Sequence, residues 1–428
     1  MFKIVNYTKA LTKFFLIFQL NLSRPQKRHV KNFIETIIAC EGRKTIARLN
    51  HLLYDPRDQS AFTDFFTYSP WDTDSFRYQV YQGTMKLLVD EQPQLSLFEE
   101  PLFIIFDDSK TVKPGTSRHF EVTDWQFNSS ELRGYYYGLP FVSCHLMRGA
   151  FSIPLAIRPY LRQRTVRRHN RKRKNKGINK RIPFKSKYTI VKEILTALVE
   201  FLPDTVPVYV LFDSWYASAK LIKLCRRKRW HVICALKSNR KLKKIAAPQS
   251  RQLAKIARRI RKRDFQKTIV KSSDSSHCYW VHTLKGRLNK INDDVSIFIS
   301  KRHYNDKRPE FFLCTDLSLN PQSGLSFYSK RWAVEVDHLY LKIRLGLGDY
   351  RLRSYEGVCR YFDLVCLTLA FLYWRLTLEK GSAVKSLSDV IELHRRDQQI
   401  AFFEKFADHV KKYKNVQDVI NKWFPKAA

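Results

Sequence analysis

Carboxylates stand at three places in this chain where chemistry could use them. Asp107-Asp108 follow the apolar run Phe103-Ile104-Ile105-Phe106, and Asp213 follows Tyr209-Val210-Leu211-Phe212. Each run reads as a buried strand ending in an acidic group, which is costly to bury unless a cation compensates it. At one site a Lys or Arg would suffice. Two such sites, far apart in sequence, favour a shared divalent metal ion. The third place is a helix running from Tyr328. At about 100° per residue, Tyr328, Arg331, Glu335 and Lys342 fall within about a 60° arc. Trp332, Val336, Leu339 and Ile343 form a neighbouring apolar stripe, by which this helix is expected to pack. A salt-bridged surface helix would show the same Arg331–Glu335 spacing.

Charge points to the partner. The 428 residues carry 78 Lys and Arg against 39 Asp and Glu, a formal net charge of +39. Such a field destabilises a compact chain through self-repulsion, and a polyanion offsets it by releasing counterions. A nucleic acid is therefore the expected partner. The eight cysteines include no Cys-x-x-Cys pair, and Cys278 beside His277 lacks a second ligand pair, so reduced thiols of a cytoplasmic protein are expected. No charge-free apolar run approaches the roughly 20 residues that span a bilayer, the longest being residues 364–374, so no membrane partner is expected. Residues 14–18 read as part of an amphipathic helix. No glycine-rich loop ends in Lys-Ser/Thr, so no nucleotide cofactor is expected.

The elements that must hold these residues divide the chain. Residues 1–98 read as a helical N-terminal DNA-binding region, with helices at 30–40, 43–53 and, capped by Asp58, 60–66. Short helices joined by tight turns suit a helix-turn-helix reader, and a plain bundle predicts the same pattern. Residues 99–239 read as the first part of an α/β core. Its strands fall at 102–106, 134–146, 150–160, 206–212 and 230–236, and its helices at 189–201 and 217–229. Within it, residues 162–187 hold 13 basic side chains and no acid. This run reads as a solvated loop gripping a phosphate backbone, with Arg167, Arg168, Arg171 and Arg173 as DNA contacts. Residues 240–322 read as a β-rich insertion with strands at 276–284, 295–301 and 311–316. The core resumes at 323–380 with the Glu335 helix and a long apolar helix at 358–376. Residues 381–428 read as a helical C-terminal region.

Tyr328-x2-Arg331-x3-Glu335-x6-Lys342 resembles, at every interval, the Y-R-E-K signature of bacterial insertion-sequence transposases of the DDE type, the cut-and-paste branch. Asp213-Ser214-Trp215-Tyr216 resembles their second motif, and Asp107-Asp108-Ser109 with Lys113-Pro114-Gly115 resembles their first. The resemblance spans roughly residues 30–376. It implies an α/β fold with a ribonuclease H-like catalytic core, interrupted by the β-rich insertion and flanked by the helical regions.

The same resemblance implies site residues and a reaction. Asp107, Asp213 and Glu335 would be catalytic metal ligands for two Mg²⁺ ions, with Mn²⁺ as a substitute, and Asp108 is the rival to Asp107. Arg331 and Lys342 would hold phosphates, and Tyr328 would stack on or hydrogen-bond to a DNA end. Trp280 would stack on a flipped base, a core tryptophan being the plainer alternative. The implied protein binds double-stranded DNA at terminal inverted repeats, cuts there and transfers 3′-hydroxyl strands to target DNA. It would act as a homodimer in a synaptic complex, on the nucleoid of a bacterial cytoplasm. A related Mg²⁺-dependent nuclease, or an inactive domesticated DNA-binding protein, would share these features.

Overall fold

Polar caps begin the first helices. Thr8 caps α1 (Lys9–Phe18), and Ser23 caps α2 (Arg24–Ala39) in a reciprocal box with Gln26. Thr45 caps α3 (Ile46–His51), and Asp58 caps α4 (Gln59–Thr67) by accepting from the Ser60 N–H. α5 (Thr73–Val89) completes this group. These elements come from a computed structural model that describes residues 2–56, 58–89, 100–113, 120–127, 134–202, 204–244, 251–271, 276–291, 293–381, 383–413 and 415–423. Pro114 and Gly115 of the first motif lie outside the described residues.

The core begins with β1 (Leu102–Val112), β2 (Asp124–Phe127), β3 (Tyr135–Arg148) and β4 (Phe151–Pro159). Then come α6 (Gln163–Asn175), α7 (Lys187–Leu198), β5 (Val208–Phe212), α8 (Ala219–Arg227) and β6 (His231–Ala235). β1 is antiparallel to β3 and parallel to β5, and β5 is parallel to β6. β2 and β4 pair with different stretches of β3. The next stretch is β7 (Lys241–Lys244), β8 (Arg251–Gln252), α9 (Leu253–Ala257), β9 (Gln266–Lys271), β10 (Ser276–Leu288), β11 (Asp294–Lys301) and β12 (Glu310–Cys314). β12 pairs antiparallel with β6, so these strands extend the same sheet. The result is a mixed α/β fold with one large mixed sheet and helical regions.

The chain ends in α10 (Pro321–Ser329), α11 (Trp332–Leu339), a π-helical turn at Tyr340–Arg344, α12 (Tyr355–Glu379), α13 (Leu387–Tyr413) and α14 (Val416–Trp423). α12 is apolar and long enough to cross a membrane by composition, but 83% of that stretch is buried inside the protein, against β4 and the N-terminal helices. All eight cysteines are free. α13 returns to α2, where His394 meets the buried Glu35 at 2.7 Å.

Three expectations need correction. The basic run is not a loop: residues 163–175 form α6, because Thr165, Val166, His169 and Arg173 recur on one face and bury together. Arg173 is thereby removed from the DNA-facing set. Its buried guanidinium forks onto Glu121 at 2.5 Å and Glu356 at 2.7 Å. Arg168 faces Asp124 at 3.5 Å, whereas Arg167 and Arg171 are exposed without an ion pair among the described residues. Second, the first acidic pair lies within β1 and not at its end, since β1 runs on to Val112. Third, the helix from Tyr328 is interrupted at Lys330–Arg331.

Arg173→Ala would leave two half-buried carboxylates facing each other and should lower unfolding stability by about 2–4 kcal/mol in urea titrations. Arg171→Ala should change it by less than about 0.5 kcal/mol.

Candidate active site

Strand alternation and register decide which carboxylates meet. In β1, Phe103 and Ile105 face one side of the sheet with Tyr209 and Leu211 of β5, while Leu102, Ile104 and Phe106 face the other with Val208, Val210 and Phe212. Parallel pairing sets Phe106 beside Phe212. The next residues, Asp107 and Asp213, therefore come level on the first face, close enough for the charge of Asp213 to act on Asp107. Asp108 turns to the opposite face, where Lys187 reaches it at 2.6 Å. The two neighbours thus have separate surroundings. Burial pushes the Asp107 carboxyl up to about 6, against the opposing pull of Arg331.

Arg331 joins the third carboxylate to this pair. Its Nη1 donates to Asp107 Oδ2 at 2.6 Å, and its Nη2 donates to Glu335 Oε1 at 2.5 Å. Asp213 is fixed by its own backbone, with Oδ1 accepting from the N–H groups of Trp215 and Tyr216 at 2.9 and 3.3 Å. Among the described residues no three carboxylate, imidazole or thiol groups stand close enough to share one ion as placed. The donor set nevertheless suits a hard divalent cation, because three carboxylates share this face and a cation, the guanidinium, already sits between two of them.

The helix carrying Glu335 packs by a face that its sequence disguises. Val334, Asp337, His338 and Leu341 are buried, whereas Trp332 (65% exposed), Leu339 and Ile343 of the expected packing stripe face solvent. Two polar residues can face the core because β3 supplies partners. Asp337 Oδ2 bonds the Nδ1 of the fully buried His145 at 2.6 Å, and His145 Nε2 bonds Ser152 Oγ at 2.6 Å. His338 Nε2 meets Ser143 Oγ at 2.7 Å, and Ser143 also donates to the Asp107 carbonyl. Burial, then Lys342 and Arg331, lower His338 to about 3, so its ring is neutral. His338 is therefore a packing residue.

The remaining predicted residues are spread. Tyr328 is half-buried, packed on Phe312 at 4.8 Å with Arg331 over its ring at 5.9 Å. Burial raises its phenol well above the ordinary range. Lys342 is exposed on the π-helical turn, whose wider winding shifts it from its ideal helical angle. Trp280 is half-buried in β10, where it packs against the main hydrophobic core and against Tyr304 at 4.6 Å. Tyr216 packs fully behind Asp213, but Trp215 is partly exposed and stacks on Tyr188 at 4.9 Å. Tyr188 and Trp215 open onto a cleft of about 570 Å³ beside Asp213, together with Lys237, Arg240, Lys241 and Lys290.

Sequence reasoning missed Lys187 and the polar anchors beneath α11. Ser143 and His145 carried a signal, as polar residues two apart in an apolar strand, but their partners on α11 lie some 190 residues away. Lys113, from the first motif, bonds the carbonyls of Gly348 and Tyr350 at 2.5 Å and so ties the end of β1 to the loop after the π-helical turn.

The family described as DDE superfamily endonuclease matches residues 18–282 of the chain. The matched span includes Asp107 and Asp213 and ends before Arg331 and Glu335. No curated protein matches the chain.

Asp337→Ala would strip His145 of its buried partner and free α11 from β3. Unfolding stability should fall by about 3 kcal/mol, with faster amide exchange in residues 332–339. Asp108→Ala, which loses the part-buried Lys187 pair and the contact with the Tyr216 hydroxyl, should cost less, about 1 kcal/mol, in the same titration. Equal losses would mean that α11 is not held by the His145–Asp337 pair.

Proposed function

The chain belongs to the DDE superfamily endonucleases, and from that membership we propose that it is a Mg²⁺-dependent transposase of the Y-R-E-K type. In this reading it cuts DNA at the ends of an insertion sequence and transfers the 3′-hydroxyl strands to target DNA. The observation that carries the reading is Arg331, which reaches 224 positions back to Asp107 while holding Glu335, beside Asp213.

Asp107, Asp213 and Glu335 would hold the metal through hard carboxylate oxygens. Bound Mg²⁺ would supply Lewis acidity to the scissile phosphate and lower the pKa of the attacking hydroxyl. Arg331, once released from the carboxylates, would take a phosphate oxygen in a charge-assisted hydrogen bond. Lys342, exposed beyond it, would hold a neighbouring phosphate. In the cut, a water oxygen bonds to phosphorus as the P–O3′ bond breaks, and the departing O3′ takes a proton. The products are a 3′-hydroxyl and a 5′-phosphate. In transfer that 3′-hydroxyl attacks a target phosphodiester in the same way and releases a target 3′-hydroxyl.

Residues 1–98 would read the transposon ends, and a homodimer would pair them, in a bacterial cytoplasm. The cleavage half of this chemistry would serve equally in a nuclease that never joins strands, and joined products separate the two.

Glu335→Gln should bind an end-bearing duplex as the wild type does and lose cleavage in Mg²⁺ by on the order of a thousandfold or more. Loss of binding alongside would point instead to a DNA-holding role for Glu335. Because Asp107 titrates near 6, protons compete with metal below that pH. Mg²⁺ affinity measured by calorimetry should therefore rise from pH 5 to about 7 and then level off. Asp107→Asn should remove that dependence together with most of the affinity.

A further inference from the structure

Much positive charge has no part in the reaction just described, and α6 concentrates it. At about 100° per residue, Arg164, Arg167, Arg171 and Lys174 form an outward ridge, opposite the buried stripe of Thr165, Val166, His169 and Arg173. All four ridge residues are exposed, and no ion pair neutralises them among the described residues. Like charges three and four apart destabilise a helix. α6 stands because its other side is anchored. Thr165 donates to Asp124 at 2.5 Å, Arg173 forks onto Glu121 and Glu356, and Asn170 bonds the backbone of Ile182 in both directions, at 2.8 and 2.9 Å. The ridge therefore adds nothing to folding.

A cleft of about 970 Å³ opens off the flank of α6, walled also by the turn after α4 and by Arg353 and Ser354 ahead of α12. Lys172, Lys176, Lys180 and Arg353 line it, all exposed and without an ion pair among the described residues. The acids lining it, Glu121 and Glu356, both bond Arg173, and with Arg360 that residue matches them in number. The other four cations are surplus. They continue a ridge whose four residues span about 15 Å of helix. Charge spread over such a length suits a polymer that is anionic at every unit, and one small anion could not meet it. Register places this surface relative to the cut. Val112 of β1 and Asp124 of β2 both lie opposite Gly138, so Asp124 and the helix it anchors stand level with the far end of β1. Asp107 is five residues back, roughly 17 Å of strand. That is the rise of about five base steps.

We propose that the α6 ridge and the cleft beside it form a second DNA-holding surface, remote from the carboxylates. The sugar–phosphate backbone of a duplex lies along it about five base steps from the cut, with Lys172, Lys176, Lys180 and Arg353 on its phosphates. The choice of DNA over another polyanion rests on the cleavage reading above. Contacts of this kind position a duplex without reading its sequence.

The test uses the full-length protein, without metal, and a labelled blunt DNA duplex of about 30 base pairs, titrated over a range of salt concentrations. Each phosphate contact contributes about 0.9 to the slope of log affinity against log salt. Lys172→Gln combined with Lys176→Gln, Lys180→Gln and Arg353→Gln should therefore lower that slope by about 3 to 4. A control that removes as many exposed lysines from α7, α8 and the turn after it, Lys192→Gln with Lys220→Gln, Lys223→Gln and Lys228→Gln, should lower it by less than about 1. An unchanged slope in the cleft variant, or an equal drop in the control, overturns the proposal. A second measurement needs no variant: wild type acetylated on its lysines with and without the duplex, then mapped by mass spectrometry. Lys172, Lys176 and Lys180 should be protected by about fivefold or more and Lys192 should not. Absence of protection at those three contradicts the surface. Tighter binding and stronger protection by the RNA duplex of the same sequence overturns the assignment to DNA. A wild type whose cleft lysines the DNA protects, yet which cuts no DNA with any divalent metal, sinks the catalytic reading and leaves the surface standing.

Discussion

Asp107 and Asp213 stand level on two adjacent parallel strands, so two negative charges meet on a half-buried face, and whatever covers that face must bring positive charge. Arg331 brings it. By bonding Asp107 and Glu335 together, its guanidinium sets the distance between the sheet and α11 and turns repulsion among carboxylates into a contact between elements. The arrangement differs from an ordinary structural ion pair in its surplus of acid: one guanidinium serves Asp107 and Glu335 while Asp213 stands beside Asp107. Burial first, and then the neighbouring charges of Asp213 and Asp108, keep the Asp107 carboxyl raised to about 6 despite its cationic partner. A protein built only for stability has no need of such a site.

Beneath this contact lies a second layer that fixes it. α11 approaches β3 with Asp337 and His338 where a plain amphipathic helix would carry leucines, and His145 and Ser143 receive them. Directional bonds of this sort set a helix's rotation and height more narrowly than apolar packing does. Ser143 bonds both His338 and the Asp107 carbonyl, so the level of the first carboxylate and the seat of the third are fixed by one side chain. Lys113 closes the arrangement from the far end of β1 by holding the loop that follows the π-helical turn.

Much of this was legible in sequence where local rules dominate. The cap at Asp58, the apolar strands of the core and the buried run of α12 all follow from residue types and spacing. The turn between β3 and β4 was legible too, since Gly149 there has a φ of 56° that favours glycine. What was not legible depended on partners distant in sequence. Residues 162–187 read as a repelling loop because Glu121 and Glu356, which neutralise Arg173, lie outside the run. The packing face of α11 was misjudged because Asp337 and His338 count as surface residues until His145 and Ser143 are placed opposite them. The choice between Asp107 and Asp108 needed the register of β1 against β5, and once that register is known parity puts only Asp107 beside Asp213.

The central claim is that Asp107, Asp213 and Glu335 together hold divalent metal and that Arg331 yields its place to it. Crystals grown with Mn²⁺ and a short DNA duplex, measured at the manganese absorption edge, test this most directly. The account predicts anomalous density between the three carboxylates, with the Arg331 guanidinium moved off Asp107 and Glu335 onto a phosphate. Manganese bound elsewhere, or an Arg331 still bridging both carboxylates while DNA occupies the site, would contradict it.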